Sequence, residues 1–193
     1  MKENAILLLI KEIKKSLESG NYLSALIVAL TIPDICGKIL YPKETNGKRY
    51  KKWFDKYIGD YKNSPIYKDL PECIGWTNMN GEKFYALRCA MLHEGSDDIV
   101  DKIKIDKFNL YYGNNSIIEK HCVEYREDSL FDGSVIEHPK IESLDINVYE
   151  ICQKIILAAN FFLKNEVDDL SKLPTIQYNL GIPSIFLSNT NLK

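Results

Sequence analysis

The sequence predicts a mainly α-helical fold, an antiparallel bundle of about five helices with a small antiparallel β-hairpin inserted between the fourth and fifth helices. Apolar residues recur every three or four positions through five segments, which is the period of a helix with one buried face. Between about 100 and 140 the pattern changes to the alternation typical of strands. We therefore predict one helical domain at 1–165, which includes this β-insertion, and an irregular C-terminal tail at 166–193.

The first two helices are predicted at 3–18 and 21–31, the second with Asn21 as its N-cap. Pro33 interrupts the second helix, but the apolar pattern resumes and continues to Leu40. A proline removes one helical hydrogen bond and crowds the preceding turn, so we expect a kink rather than an end.

Three further helices are predicted at about 49–61, 82–93 and 145–164, the last with Asp145 as its N-cap. One stripe of the third helix is aromatic, which favours a buried face. That stripe consists of Tyr50, Trp53, Phe54, Tyr57 and Tyr61. Within the β-insertion, we expect strands at 103–112 and 117–125 with a turn at Gly113, and then a short strand near Val135.

Charge and cysteine usage exclude several classes of protein. The net charge is −2, so nucleic-acid binding would have to rest on a local basic patch. The cysteines are odd in number and form no CxxC pair, which argues against a disulfide framework or a zinc site. No apolar stretch approaches the roughly 20 residues needed to span a bilayer. We expect a soluble, cytoplasmic protein without a metal or cofactor.

The strongest functional signal is the pair Arg88 and His93 at the end of the fourth helix. The chain has only three arginines and three histidines, and Gly95 ends this helix soon after. Five positions along a helix turn about 140°, so the two side chains do not share one face of a straight helix. Arginine is long, however, and His93 is at the frayed end, so both can converge on one bound group.

This segment, Tyr85 to Gly95, resembles the HEPN superfamily, a family of helical bundles that carry an arginine and a histidine, with four to six residues between them, late in the bundle. The resemblance covers about 1–100 and 145–164. It implies a metal-independent endoribonuclease, of a toxin or phage-defence type, that acts as a homodimer on RNA. His93 would then be the general base or acid, and Arg88 would hold the scissile phosphate. An antitoxin or another partner protein would fit the same resemblance.

Other readings of the motif stay open. Catalytic members of the family often have a polar residue after the arginine, whereas this chain has Cys89, which is read more simply as a small buried residue. A non-catalytic module that forms a homodimer or binds a protein or nucleic-acid partner is the alternative function. Arg88 alone could also anchor the phosphate of a nucleotide, although no glycine-rich phosphate loop is present.

Several nearby residues could support the motif or explain it structurally. Asp34 is a lone carboxylate among apolar residues, so it either orients Arg88 or points outward at the Pro33 kink. Glu94 is a second possible partner of Arg88, and His93 could simply cap the helix end. The basic residues of the third helix form either a solvated face or a weak strip of RNA-phosphate contacts. These residues are Arg49, Lys51, Lys52 and Lys56.

Overall fold

The structure is a computed structural model that describes residues 2–59, 64–66, 80–93, 107–112, 119–129 and 135–177. It confirms a mainly helical bundle with a small sheet inserted before the last long helix. The remaining residues, which include Glu94 and most of the predicted connection at 62–81, lie outside this description.

The chain begins with strand β1 (Lys2–Asn4) and helix α1 (Ala5–Glu18). Helix α1 starts two residues later than predicted because the Asn4 side chain caps it, accepting hydrogen bonds from the backbone N–H groups of Ile6 and Leu7 at 2.9 and 3.2 Å. Asn4 and the two residues before it pair with a strand near the end of the described chain.

The interruption predicted near Pro33 is present, but the chain forms two helices there rather than one kinked helix. Helix α2 (Tyr22–Ala29) and helix α3 (Ile32–Leu40) are separated by two residues, and Pro33 lies in the first turn of α3. That position suits proline because the first turn leaves backbone N–H groups unpaired in any case. Asn21 occupies the N-cap position of α2 as predicted, but its side chain makes no capping hydrogen bond.

The third predicted helix begins and ends differently from its expected bounds. Helix α4 (Asn46–Phe54) starts three residues earlier than predicted and passes into a π-helical turn (Asp55–Gly59). Helix α5 (Gly81–His93) agrees with its prediction to within one residue. The Asp55 carboxylate accepts a hydrogen bond from the backbone N–H of Gly81 at 2.6 Å, which ties the start of α5 to the end of α4.

The inserted sheet contains the expected antiparallel hairpin, but its strands are ordered differently. Strands β2 (Lys107–Tyr111), β3 (Glu119–Ser129) and β4 (Val135–Asn147) form a sheet in which β4 is central. β3 pairs with β4 antiparallel and β2 pairs with β4 in parallel. The prediction that the turn at Gly113 joins two paired strands was therefore wrong, because β4 lies between them.

The third strand was also predicted as short, whereas β4 has 13 residues. Its pattern is interrupted by Pro139, a residue that central strands tolerate only at irregularities. The register shifts from Glu124 opposite Ile141 to Tyr125 opposite Pro139, which leaves one extra residue, Lys140, in β4. A bulge at this point accommodates the proline. Because the bulge interrupts the alternating pattern of side chains, the length of β4 could not be predicted from the local sequence.

The last long helix, α6 (Val148–Asn165), follows β4 directly. The prediction of Asp145 as its cap was wrong, because Asp145 lies in β4 and accepts a hydrogen bond from the Asn109 side chain at 2.7 Å. Asn147 caps the helix instead, accepting from the backbone N–H of Glu150.

The described part of the predicted irregular tail, residues 166–177, contains some regular secondary structure. A 3-10 turn (Leu170–Lys172) precedes strand β5 (Thr175–Gln177), which pairs antiparallel with β1. Hydrogen bonding between the two ends of the domain explains the difference, since local sequence carries no signal for such a distant partner.

One aromatic and aliphatic core holds the helices together. The aromatic stripe of α4 and its π turn is fully buried, as predicted, at Tyr50, Trp53, Phe54 and Tyr57. Phe54 stacks on Phe84 of α5, with ring centroids 4.4 Å apart. Helix α6 fills the centre of the core with buried residues that include Ile151, Cys152, Ile155, Ala159 and Phe162.

One described segment, Tyr22–Leu40, is long and apolar enough to cross a membrane by length and composition, contrary to expectation. It comprises α2 and α3, and its residues Ala25, Leu26, Ala29 and Leu30 are fully buried in the core. Packing inside the bundle therefore accounts for part of its apolar character, since 44% of the segment is buried. The described fold does not look like that of a membrane protein.

Candidate functional site

Three helices bring Arg88 together with Asp34 and Arg49. Arg88 lies on α5, Asp34 on the first turn of α3, and Arg49 on α4. Arg88 Nη2 lies 3.4 Å from Asp34 Oδ2, and Arg49 Nε lies 3.0 Å from Asp34 Oδ1. Asp34 therefore faces Arg88, which is one of its two predicted orientations, and it also binds a second arginine.

Two tyrosines complete this group, which we call the arginine cluster: Asp34, Arg49, Arg88, Tyr50 and Tyr85. The Arg88 guanidinium lies over both tyrosine rings, 5.9 Å from each centroid. The rings meet edge to face at 5.4 Å. Cations over aromatic faces are stabilised by the negative ring face, so the rings help to fix the position of Arg88.

Close contacts between helix backbones place these side chains within reach of each other. A Cβ atom at Gly37 would lie 2.7 Å from the backbone oxygen of Arg49, and one at Gly81 would lie 2.6 Å from the backbone oxygen of Lys51. Such distances are far inside van der Waals contact, so only glycine allows α3 and α5 to approach α4 this closely. The two glycines thus position the three charged residues.

The charged side chains of the arginine cluster are mostly buried. The side chains of Arg49, Arg88 and Asp34 retain 14%, 15% and 22% of their solvent exposure. They are therefore largely enclosed by the three helices without being sealed from solvent, and the contacts between them are less screened than those of surface ion pairs.

The tyrosines of the cluster stay neutral across the physiological range. Burial raises the pKa of Tyr50 well above its usual value. Burial also raises the pKa of Tyr85, and the neighbouring Cys89 thiol adds to that shift. Cys89 is itself buried, in agreement with its simpler interpretation as a small core residue. Neutral rings beside the guanidinium groups lower the local dielectric constant, which strengthens nearby electrostatic interactions.

His93 is the last residue of α5, as predicted. The placement of its side chain lies outside the description, as does Glu94, so the predicted convergence of Arg88 and His93 stays a prediction. The other two histidines, His121 and His138, lie on β3 and β4. Among the described residues, no group of three His, Cys, Asp or Glu residues is arranged to hold a metal ion.

The three predicted phosphate-contact lysines of this region each pair with a carboxylate. Lys51 Nζ lies 2.6 Å from Glu82 Oε1, and Lys56 Nζ lies 2.8 Å from Glu166 Oε1. Lys52 pairs with Glu44. Each lysine is thus locally neutralised, so this strip offers much less positive charge than its sequence suggests.

Comparison with known proteins adds no identification. No family model, curated protein or solved structure matches this chain. The arginine cluster and the sequence motif are therefore the two observations on which a function can be proposed.

Sequence reasoning selected Arg88, Asp34 and Arg49 separately but did not connect Arg49 with the other two. It placed Tyr50 in the core and gave Tyr85 no role. The signal that could have connected them is the pair of glycines inside helices, at Gly37 and at the start of α5, because helical glycine often marks a close approach of two backbones.

Proposed function

We propose that this chain is a HEPN-like, RNA-acting protein, and specifically a cytoplasmic, metal-independent endoribonuclease that uses Arg88 and His93 at a dimer interface. The observation that supports this best is the position of Arg88. It lies near the end of α5, is fixed by Asp34 and two tyrosine rings, and keeps 15% of its side chain exposed. A fixed guanidinium that still reaches solvent is suited to hold a phosphate group.

The proposed reaction is an attack of the ribose 2′-oxygen on the adjacent phosphorus. His93 takes the 2′-hydroxyl proton, and Arg88 stabilises the negative charge that builds on the phosphate oxygens. The 5′-oxygen of the next nucleotide leaves and receives a proton from water, and His93 later returns its own proton to solvent. The products are a 2′,3′-cyclic phosphate and a 5′-hydroxyl end. A toxin or phage-defence role, with an antitoxin or other partner, fits such an activity.

The decisive experiment measures cleavage of RNA by the purified full chain in the presence of EDTA, with identification of the product ends. Arg88→Gln and His93→Gln should each reduce cleavage by at least a hundredfold while circular dichroism and melting temperature show a folded protein. Arg126 is the remaining arginine of the chain and lies on β3, away from the motif in sequence, so Arg126→Gln serves as the matched control. Wild-type protein without cleavage, or variants that cleave normally, would reject the proposal.

A second function is favoured by one specific observation. Arg88 is 85% buried and engaged with Asp34, as a structural arginine would be. On this alternative the chain is a non-catalytic interaction module that forms a homodimer or binds a partner. Arg88→Gln would then lower the melting temperature, or the fraction of dimer measured by light scattering. Neither the wild-type protein nor the variant would cleave RNA. A monomer at all concentrations, with intact cleavage, would exclude it.

A further inference from the structure

We propose that a cleft beside Tyr112 binds one unpaired base of single-stranded RNA, which stacks on the tyrosine ring. The cleft lies between the turn from α1 to α2 and the end of β2, and it has a volume of about 300 Å³. Its lining residues are Gly20, Asn21, Tyr22, Leu23, Ser24 and Tyr112. This inference rests on the proposed RNA-acting function and adds a binding site on elements other than those that carry the arginine cluster.

The first argument is an exposed aromatic stack. The rings of Tyr22 and Tyr112 are nearly parallel, with 23° between their planes and 4.7 Å between their centroids. Tyr22 packs against the hydrophobic core, whereas Tyr112 keeps 49% of its surface exposed. Tyr112 is therefore the outer ring of the pair, and the anchored ring of Tyr22 holds it in position. Bases of single-stranded nucleic acids stack on such exposed rings, because every base has a flat π face.

The second argument is the chemistry of the cleft lining. None of the six lining residues carries a charge, so the cleft suits the neutral base of a nucleotide better than its phosphate group. Asn21 occupies the N-cap position of α2, but its side chain makes no capping hydrogen bond. An asparagine amide offers both a donor and an acceptor, and the Ser24 hydroxyl adds a second group of this kind. Such groups match the hydrogen-bonding edge of an unstacked base.

The third argument is the size of the cleft. Small-molecule sites in proteins have volumes of roughly 300–1,000 Å³, so this cleft is at the small end of that range. One base with its ribose is a ligand of this class. The bases of a duplex are stacked on both faces and paired at their edges, so only an unpaired base can enter. The cleft therefore favours single-stranded RNA over double-stranded RNA.

A second exposed tyrosine, Tyr149 on α6, shows what is special about Tyr112. Tyr149 keeps 42% of its surface exposed, which is close to the value for Tyr112. The ring contacts among the described residues include the stack of Tyr112 on Tyr22 but none that involves Tyr149. An unsupported side chain must lose rotational freedom before a base can stack on it, whereas Tyr112 is already held. Similar exposure thus does not make the two tyrosines equal as binding sites.

The test measures binding of two labelled ligands by fluorescence anisotropy. One is a single-stranded 2′-O-methyl oligoribonucleotide, which cannot be cleaved, and the other is a chain of the same length that lacks its bases. Both carry the same phosphate charges, so they differ only in contacts made by bases. Tyr112→Ala should weaken binding of the intact ligand about tenfold, as expected for the loss of one stacked base, and leave binding of the baseless chain unchanged. Tyr149→Ala is the matched control and should change neither Kd.

Two further variants separate stacking from a structural role of Tyr112. Tyr112→Trp keeps a flat ring and should bind the intact ligand at least as tightly as the wild type does. Tyr112→Leu keeps an apolar contact with Tyr22 but has no ring, so it should fold normally by circular dichroism and bind as weakly as Tyr112→Ala. Equal weakening of both ligands by Tyr112→Ala, or wild-type binding by Tyr112→Leu, would overturn the inference.

The outcomes also distinguish this inference from the proposed function. If Arg88→Gln abolishes cleavage while Tyr112→Ala binds and cleaves as the wild type does, then the cleft is no base site and the ribonuclease proposal stands. If binding depends on Tyr112 as described but the wild-type chain cleaves no RNA, then the base site stands and the ribonuclease proposal is rejected. If the wild-type chain binds no RNA under any condition, then both proposals are rejected.

Discussion

Two sets of basic residues on α4 look alike in sequence but differ in their surroundings. Arg49 shares one mostly buried carboxylate with Arg88, whereas Lys51, Lys52 and Lys56 each pair separately with a carboxylate nearer the surface. The arginine cluster is mostly buried and fixed in geometry, while the lysine pairs are more exposed. The surroundings of each basic residue, rather than the number of basic residues, thus distinguish the two sets.

The sharpest test of this contrast is Asp34→Ala, for which we expect the largest effect. The substitution leaves two mostly buried guanidinium groups without their shared carboxylate, and removal of one partner from a buried pair costs several kcal/mol. Allowing for the partial exposure of the cluster, we expect a loss of about 3 kcal/mol in the free energy of unfolding, or roughly 6–12 °C in melting temperature. Urea unfolding of both proteins measures it.

A matched variant shows whether the carboxylate or merely the side chain matters. Asp34→Asn keeps the shape and one oxygen acceptor, so it should lose less stability than Asp34→Ala. Typical surface substitutions change the free energy of unfolding by no more than about 0.5 kcal/mol. If both substitutions of Asp34 stay within that range, then the arginine cluster contributes no more to stability than the lysine pairs do.

The next largest effect should come from Gly37→Ala, which tests how the cluster is assembled. The added Cβ would lie 2.7 Å from the backbone oxygen of Arg49 and force α3 away from α4. Overpacking of this kind costs up to about 3 kcal/mol, and the better helix propensity of alanine returns about 1 kcal/mol. We expect a net loss of about 2 kcal/mol in chemical unfolding.

The control for this prediction is Gly47→Ala, where the added Cβ would meet the Tyr85 ring at 3.2 Å. A side chain can shift by a few tenths of an ångström more easily than a backbone, so this variant should be milder. Equal stability losses for the two variants would mean that the α3–α4 backbone approach is not specially tight.

A smaller, pH-dependent effect is expected at Glu166. Its carboxylate accepts hydrogen bonds from Lys56 at 2.8 Å and Tyr57 at 2.9 Å, and the bond from Lys56 is the main cause of its lowered pKa. A lowered pKa in the folded state adds stability above the ordinary value of 4.5 that is lost as the pH falls through the folded-state pKa.

Glu166→Gln should therefore lose about 0.5–1 kcal/mol of unfolding free energy at pH 7. The difference from wild type should shrink as the pH falls below 4.5. Unfolding by urea at a series of pH values measures the difference directly. A difference that stays constant down to pH 3, or grows, would contradict the assignment of the effect to the ionised carboxylate.

The sequence predicted the parts of this molecule that depend on local pattern. Helix positions, the interruption near Pro33 and the buried aromatic stripe all follow from the nature and spacing of nearby residues. The central place of β4 and the pairing of β1 with β5 do not, because both depend on partners far away in the chain. A bulge at Pro139 further concealed the length of β4.

The candidate site shows the same division. Arg88 was selected from its place in the motif and Asp34 from its isolation among apolar residues. Their contact with Arg49 was not predicted, because it arises from three helices that meet through glycines. The separation of Arg49 from the neighbouring lysines likewise depends on where acidic residues of other elements lie, such as Glu82 and Glu166.

The smallest effect is expected for the lysine pairs, and Glu82→Gln measures it. Glu82 pairs with Lys51 at the surface, where 55% of the Glu82 side chain and 30% of the Lys51 side chain are exposed. Solvent and salt screen such a pair, so the loss should be about 0.2–0.5 kcal/mol and should vanish in 1 M salt. A loss as large as that of Asp34→Ala would show that burial does not separate the two sets of basic residues. A small loss together with tighter RNA binding would show instead that freeing Lys51 creates the phosphate contact that its carboxylate normally prevents.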